Sequence, residues 1–253
     1  MKLPGGFHLT YCSNIHPGET WEEVSANLSA YLPQVREGLP PEAPFGVGLR
    51  LSAVAAEALE QPEALAGFRD LLDLHGAYVF TINGFPYGPF HGVRVKEDVY
   101  LPDWLQEERL VYTNRLARLL AALLPDDPAL EGSVSTVPGA FKERVRGPED
   151  LRAMAERMLR HAAELERIRQ ATGRTVTLAL EPEPCCCIET VAEAVAFFRD
   201  HLLARPALAV LERELGLGED AARELARRHI GLCYDACHMA VEFEDTAKSL
   251  AAL

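Results

Sequence analysis

Two short stretches place carboxylates where a cation could be held. Leu178-Ala-Leu-Glu181-Pro-Glu183-Pro is an apolar run that stops on Glu181, with Glu183 two residues on. Gly231-Leu-Cys-Tyr-Asp235-Ala-Cys-His238 stops on Asp235 and carries an imidazole three residues later. Oxygen and nitrogen donors of these types suit a divalent ion, Mg²⁺, Mn²⁺ or Zn²⁺. Glu181, Asp235 and His238 are therefore candidate metal ligands, and Glu181 is also the candidate catalytic carboxylate that moves a proton. The competing reading makes Asp235 a helix N-cap beside an incidental His, and Glu181 a capping or salt-bridged carboxylate.

Other residues could contact a ligand. Glu183 shares the parity of Glu181 but lies past the run. His16, in Asn14-Ile-His16-Pro, and His91, in the Gly/Pro/aromatic stretch Gly84-Phe-Pro-Tyr-Gly-Pro-Phe-His91, fall on segments of loop character. Arg50 closes an apolar run and could meet an anionic group or pair internally with a carboxylate. Asn83 ends another run, and Lys142 follows Val137-Pro-Gly-Ala-Phe. Cys185, Cys186 and Cys187 are adjacent, a spacing that cannot turn all three thiols to one ion, so they read as small turn residues.

These side chains need elements to position them. Six strand-like runs, at about 7–14, 45–51, 77–83, 132–137, 175–181 and 230–235, are each followed by helical sequence. Thr20-Trp-Glu-Glu23 is a capping box. Ser52 and Asp103 suit N-caps, and Gly76 and Gly173 suit the position after a helix. The segment 189–228 has room for two or three helices, broken near Pro206 and at Gly216–Gly218. Strand–helix alternation of this kind predicts a parallel sheet.

Parity along the runs favours a barrel over an open sheet. Val176, Leu178 and Leu180 oppose Thr177, Ala179 and Glu181. Phe45, Val47, Leu49 and Leu51 oppose Gly46, Gly48 and Arg50. Tyr78, Phe80 and Ile82 oppose Val79, Thr81 and Asn83. One face is large and apolar, the other small or polar, as expected when helices cover the outside and the inside narrows to a polar mouth. That inner face ends in Asn14, Arg50, Asn83, Glu181 and Asp235. A closed barrel needs eight units and six are found, so the chain reads as a single domain over 1–253 whose last strands are missing.

Formal charge excludes some functions. With 38 acidic against 25 basic residues and a net charge of −13, the chain lacks the basic face that nucleic acid requires. No apolar run is long enough for membrane insertion, and the N-terminus has no secretory h-region. Six Cys without a CxxC pair fit a reduced, cytoplasmic setting.

Longer motifs then carry a family likeness. His8-Leu-Thr-Tyr-Cys-Ser-Asn-Ile-His-Pro-Gly-Glu19, Phe45-Gly-Val-Gly-Leu-Arg-Leu-Ser52, Phe80-Thr-Ile-Asn-Gly-Phe-Pro-Tyr-Gly-Pro-Phe-His-Gly92, Val95-Lys-Glu-Asp-Val-Tyr-Leu-Pro-Asp-Trp104, Ser135-Thr-Val-Pro-Gly-Ala-Phe141, Leu180-Glu-Pro-Glu-Pro-Cys185 and Tyr234-Asp-Ala-Cys-His238 span essentially the whole chain. Together they resemble the metabolite traffic protein EboE family, within the xylose-isomerase-like (sugar phosphate isomerase/epimerase) TIM-barrel superfamily. The resemblance implies a (β/α)8 barrel, here truncated to about six βα units. It also implies a metal site in which Glu181, Asp235 and His238 match three ligands, with a further His and Glu lying beyond residue 253.

Three functions follow as expectations. The first is a metal-assisted isomerase or epimerase of a small polar or sugar-like metabolite, with partners in a metabolite-trafficking pathway. The second is a carrier that binds the metabolite unchanged. The third is a metal-dependent phosphodiester hydrolase, which the net charge disfavours. The sequence carries no signal for oligomeric state.

Overall fold

The computed structural model describes residues 1–40, 43–85 and 100–253. Strands β1 (Thr10–Cys12), β2 (Phe45–Arg50), β3 (Ala77–Asn83), β4 (Gly132–Thr136), β5 (Val176–Leu180) and β6 (Ile230–Leu232) form one sheet in the order β1-β2-β3-β4-β5-β6. Every pairing is parallel. Helices α1 (Trp21–Glu37), α2 (Ala53–Leu59), α3 (Pro62–His75), α4 (Glu107–Leu123), α5 (Pro148–Thr172), α6 (Val191–Phe197), α7 (Arg205–Leu215) and α8 (Glu219–His229) occupy the crossovers, and α9 (Ala236–Val241) and α10 (Thr246–Ala252) follow β6. Among the described residues β1 and β6 do not pair, so the sheet is an arc and not a closed barrel.

Local chemistry sets the helix ends. Thr20 and Glu23 satisfy each other's backbone amides at the start of α1, and Thr190 and Glu193 repeat the arrangement at α6. Ser52 caps α2 through the amide of Ala55. Gly76 and Gly173 end α3 and α5 at φ of 59° and 72°, where a side chain would be strained. Asp103 departs from expectation. α4 begins at Glu107 behind Gln106, and the Asp103 carboxylate instead accepts from the Leu105 amide and pairs with Arg144. The Asp103-Trp-Leu-Gln106 stretch forms a turn before the helix starts, so its cap-like residue serves that turn.

The core lies between the strands and the helices. Val47, Leu49, Ile82, Val134, Val176, Leu178 and Leu180 point outward and meet Leu116 and Leu120 of α4 and Met158, Leu159 and Leu165 of α5, all fully buried. Each such Leu contributes about 1.5–3 kcal/mol relative to exposure. The inner face is small and polar. The Ser133 hydroxyl donates to Thr81 Oγ1 at 2.9 Å, and Ser135 donates to Asn83 Oδ1 at 3.3 Å. A Cβ at Gly46 would fall 2.9 Å from the Phe80 ring, and one at Gly48 would fall 3.0 Å from Cys12 Sγ.

The expected parity of β3 is corrected in its first half. Val47 pairs with Val79, but the next residue, Gly48, pairs with Thr81, so Phe80 is the extra residue of a bulge. Ala77 and Val79 therefore face the helices, while Tyr78 and Phe80 face inward, where Tyr78 Oη meets His8 Nδ1 at 2.7 Å. Beyond the bulge, Thr81 and Asn83 are inward as expected.

Candidate metal centre

β5 and β6 end side by side, with Ala179 opposite Gly231 and the Cys233 amide bonded to the Leu180 carbonyl at 2.7 Å. Glu181 leaves the end of β5 and is anchored by its own amide to the Thr136 carbonyl at 3.1 Å. Asp235 begins α9, and its Oδ1 accepts from the amides of Cys237 (2.6 Å) and His238 (3.1 Å). The N-cap role weighed against metal binding is thus present, yet it uses one oxygen only. Oδ2 faces His238 Nε2 at 3.8 Å, and His238 Nδ1 lies 4.0 Å from Glu181 Oε1. One donor atom each from Glu181, Asp235 and His238 falls within 4.8 Å of the others, and all three side chains are partly buried.

The donor chemistry fits a cation. His238 Nδ1 faces the Pro182 carbonyl at 3.0 Å, an acceptor, so Nδ1 donates there and Nε2 is the ring nitrogen turned toward Asp235. The 3.8 Å between Nε2 and Oδ2 is less than two bonds of about 2.0–2.2 Å laid end to end, so one ion could reach both. Burial raises the Glu181 pKa, an effect opposed by His238 and reinforced by the charges of Glu183 and Asp235. Burial likewise raises Glu183, against the Tyr100 hydrogen bond. Burial also pushes the Cys233 thiol, with Glu181 and Asp235 nearby, up to about 12, which makes it a poor thiolate donor. Acidic oxygens and one imidazole, with no ionised thiol, make a hard donor set.

The other expected contacts disperse. Asn83 sits at the mouth beside Ser135. Glu183 Oε1 accepts from the Tyr100 hydroxyl at 2.8 Å. Arg50 takes the internal pairing foreseen for it: its guanidinium binds the Gly18 carbonyl (2.6 Å) and the Glu19 carboxylate (3.2 Å). His16 stacks on Tyr31 of α1 at 3.9 Å and bonds the Tyr11 hydroxyl. Lys142 is half-exposed and paired with Glu189 and Glu193 near the start of α6. Those three engage neighbours other than the Glu181–Asp235–His238 cluster. His91 lies outside the described residues. Cys185 is exposed, Cys186 buried and Cys187 half-buried with its Sγ on the Pro138 carbonyl, in keeping with a turn. Sequence reasoning missed Ser135 and Tyr100; Ser135 had the right inward parity, whereas nothing local marks Tyr100.

Solved structures share this arrangement of strands and helices. The probable 3-DHS dehydratase AsbF involved in petrobactin synthesis from Bacillus anthracis is similar at 13% identity, over 98% of this chain and 69% of that one, with a TM-score of 0.52. The IOLI protein with a binding zinc atom is similar at 13% identity, over 96% and 68% of the two chains, with a TM-score of 0.53. A xylose isomerase-like TIM barrel protein from Mycobacterium smegmatis in complex with magnesium is similar at 17% identity over 76% and 60%, with a TM-score of 0.49. The fold is that of a TIM barrel, open after six strands among the described residues. Identity at this level establishes the fold and not the activity. No family model matches the chain, and no curated protein matches it by sequence. Among the described residues no helix is long and apolar enough to cross a membrane.

Proposed function

We propose that this chain is an EboE-like metabolite traffic protein, one barrel domain over residues 1–253, that acts on a small polar or sugar-like metabolite with a divalent ion held by Glu181, Asp235 and His238. The observation that carries the reading is the convergence of those three donor atoms within 4.8 Å at the ends of neighbouring strands. The bound zinc named for one protein of the same fold supports a divalent cation, and the dehydratase activity named for another supports a small polar ligand. Six unpaired cysteines support a reduced, cytoplasmic setting.

The reaction that suits these groups is isomerisation or epimerisation next to a carbonyl. The ion, when bound, polarises the carbonyl and hydroxyl oxygens of the ligand. Glu181, partly buried and raised in pKa, takes up and returns the proton on the adjacent carbon. The Pro182 carbonyl fixes the His238 tautomer, and Asp235 holds the turn that presents it. The small inner residues Ser133, Thr177, Ala179 and Gly231 leave space for a ligand below the mouth.

Metal analysis tests the ligand set. Glu181→Gln and Asp235→Asn should each weaken Mn²⁺ binding by more than about tenfold. Undiminished tight binding in both variants sinks the assignment. Incorporation of solvent deuterium into an added sugar separates catalysis from carriage, because a carrier binds without exchange.

A further inference from the structure

Glu244 closes the segment that carries two of the three candidate ligands. α9 starts on the Asp235 cap and presents His238 on its first turn. It ends in two reversed backbone bonds. The Phe243 amide donates to the Ala240 carbonyl at 3.2 Å, and the Glu244 amide donates to the Met239 carbonyl at 3.0 Å. That closure needs a left-handed residue, and Phe243 takes the position at φ 56°, where glycine is usual. Backbone strain is thus accepted to turn the chain back at Glu244.

The Glu244 side chain then reaches out of its own segment. Oε1 accepts from the Val191 amide at 3.1 Å, and Oε2 accepts from the Ser249 hydroxyl at 3.2 Å. Val191, Met239 and Ser249 are all buried. Val191 is the first residue of α6, and its amide is one that a helix start cannot satisfy internally. α6 follows the connection that begins at Glu181, so this bond joins the far end of that connection to the far end of α9. The near ends are joined by His238 Nδ1 and the Pro182 carbonyl at 3.0 Å. Two ties therefore set the Asp235–His238 turn against Glu181, whereas β6 itself offers three paired residues, Ile230–Leu232. Glu244 is not one of the three converging donors. We propose that Glu244 is a positioning residue, whose carboxylate clamps α9 to the start of α6 and so keeps Asp235 and His238 within reach of the ion that Glu181 shares. The inference rests on reading Glu181, Asp235 and His238 as the ligands.

Co²⁺ is the probe, read by its visible d–d absorption and by competition with a chelating dye. Glu244→Ala removes both acceptors. It should weaken Co²⁺ binding by about tenfold and alter the spectrum at saturation. Glu244→Gln keeps an oxygen for the Val191 amide and should retain the wild-type spectrum and affinity. Glu244→Asp keeps the charge but loses the reach, and should behave as Glu244→Ala does. The contrast between Gln and Asp decides the matter even if Glu244→Ala does not fold. A lowered thermal midpoint in Glu244→Ala or Glu244→Asp with cobalt affinity and spectrum unchanged makes Glu244 a stabilising residue alone and overturns the proposal. A Glu244→Gln variant as impaired as Glu244→Asp makes it a ligand or a required charge, and overturns the proposal too. Both results leave the ligand set standing. Absence of cobalt bands in the wild type removes the ligand set itself, and this inference with it.

Discussion

Gly84 carries a constraint that many glycines of this chain do not. A Cβ there would lie 2.4 Å from the Ser135 carbonyl oxygen, the same atom that accepts the Gly84 amide at 3.0 Å. That oxygen belongs to the backbone of β4 and cannot swing aside. Gly84→Ala should therefore cost roughly 1–3 kcal/mol by forcing β3 from β4, and should disturb the Asn83–Ser135 contact at the mouth. Gly67, exposed in the interior of α3, meets nothing within 4 Å, so Gly67→Ala should stabilise by about 0.5–1 kcal/mol. Urea denaturation of the two variants checks the contrast. Legibility at this scale depended on whether a residue's role was set along the chain or across it. The convergence of Glu181, Asp235 and His238 was readable because strand parity and a three-residue turn place all three at neighbouring strand ends. The internal pairing of Arg50 was readable as a possibility, but not its partner Glu19, 31 residues away, nor the pairing of Lys142 with Glu189, 47 residues away, because the fold brings these together.

Between α4, α5, α8 and β5 runs a buried polar seam that no motif announced. His161 is fully buried, with Nδ1 2.6 Å from Asn114 Oδ1. Glu166 accepts from Arg169 and Gln170 and faces His229 Nε2 at 3.1 Å, while His229 Nδ1 meets the Val176 carbonyl. Burial, with the charges of His229 and Arg118, pushes the His161 pKa down from 6.5 to about 3. The unfolded chain takes up that proton below pH 6.5 and the fold does not, so stability falls as pH drops through the interval, at about 1.4 kcal/mol per unit at most. Glu166, held down to about 2 chiefly by Arg169, adds a loss that begins below its ordinary 4.5. In urea titrations against pH, His161→Leu should flatten the slope between 6.5 and 4.5, and Glu166→Gln should act only below that. An unchanged upper slope in His161→Leu would contradict the assignment. The boundaries marked by the Thr20–Glu23 box, Ser52, Gly76 and Gly173 were legible, since these are local signals, whereas the start of α4 beyond Asp103 and the short extents of β1 and β6 were not. The β3 bulge was not, because a single unpaired residue leaves no trace in a periodic pattern.

Among the described residues the sheet is an arc whose edge strands are β1 and β6. The barrel class was legible from the alternation of strands and helices and from the asymmetry of the two sheet faces. So was the lack of closure among the described residues, because only six of the eight units that a closed barrel needs can be counted along the chain. Near one edge Phe7 is 70% exposed, and after the other Phe243 is 95% exposed. Unpaired edges flanked by apolar side chains template association. Phe7→Lys with Phe243→Lys should lower concentration-dependent association in light scattering, and an unchanged profile would show that the edges are inert. The outermost strand has a further property. β6 is three residues long and among the described residues pairs with β5 alone, yet the turn after it supplies Asp235 and His238, whereas Glu181 follows the end of β5. An ion shared by these groups would act as a rivet across the weakest seam of the sheet, lending its binding free energy to that one junction. Hydrogen exchange at the Leu232 and Cys233 amides should slow when Zn²⁺ is added, while the amides joining β2 to β3 keep their pace.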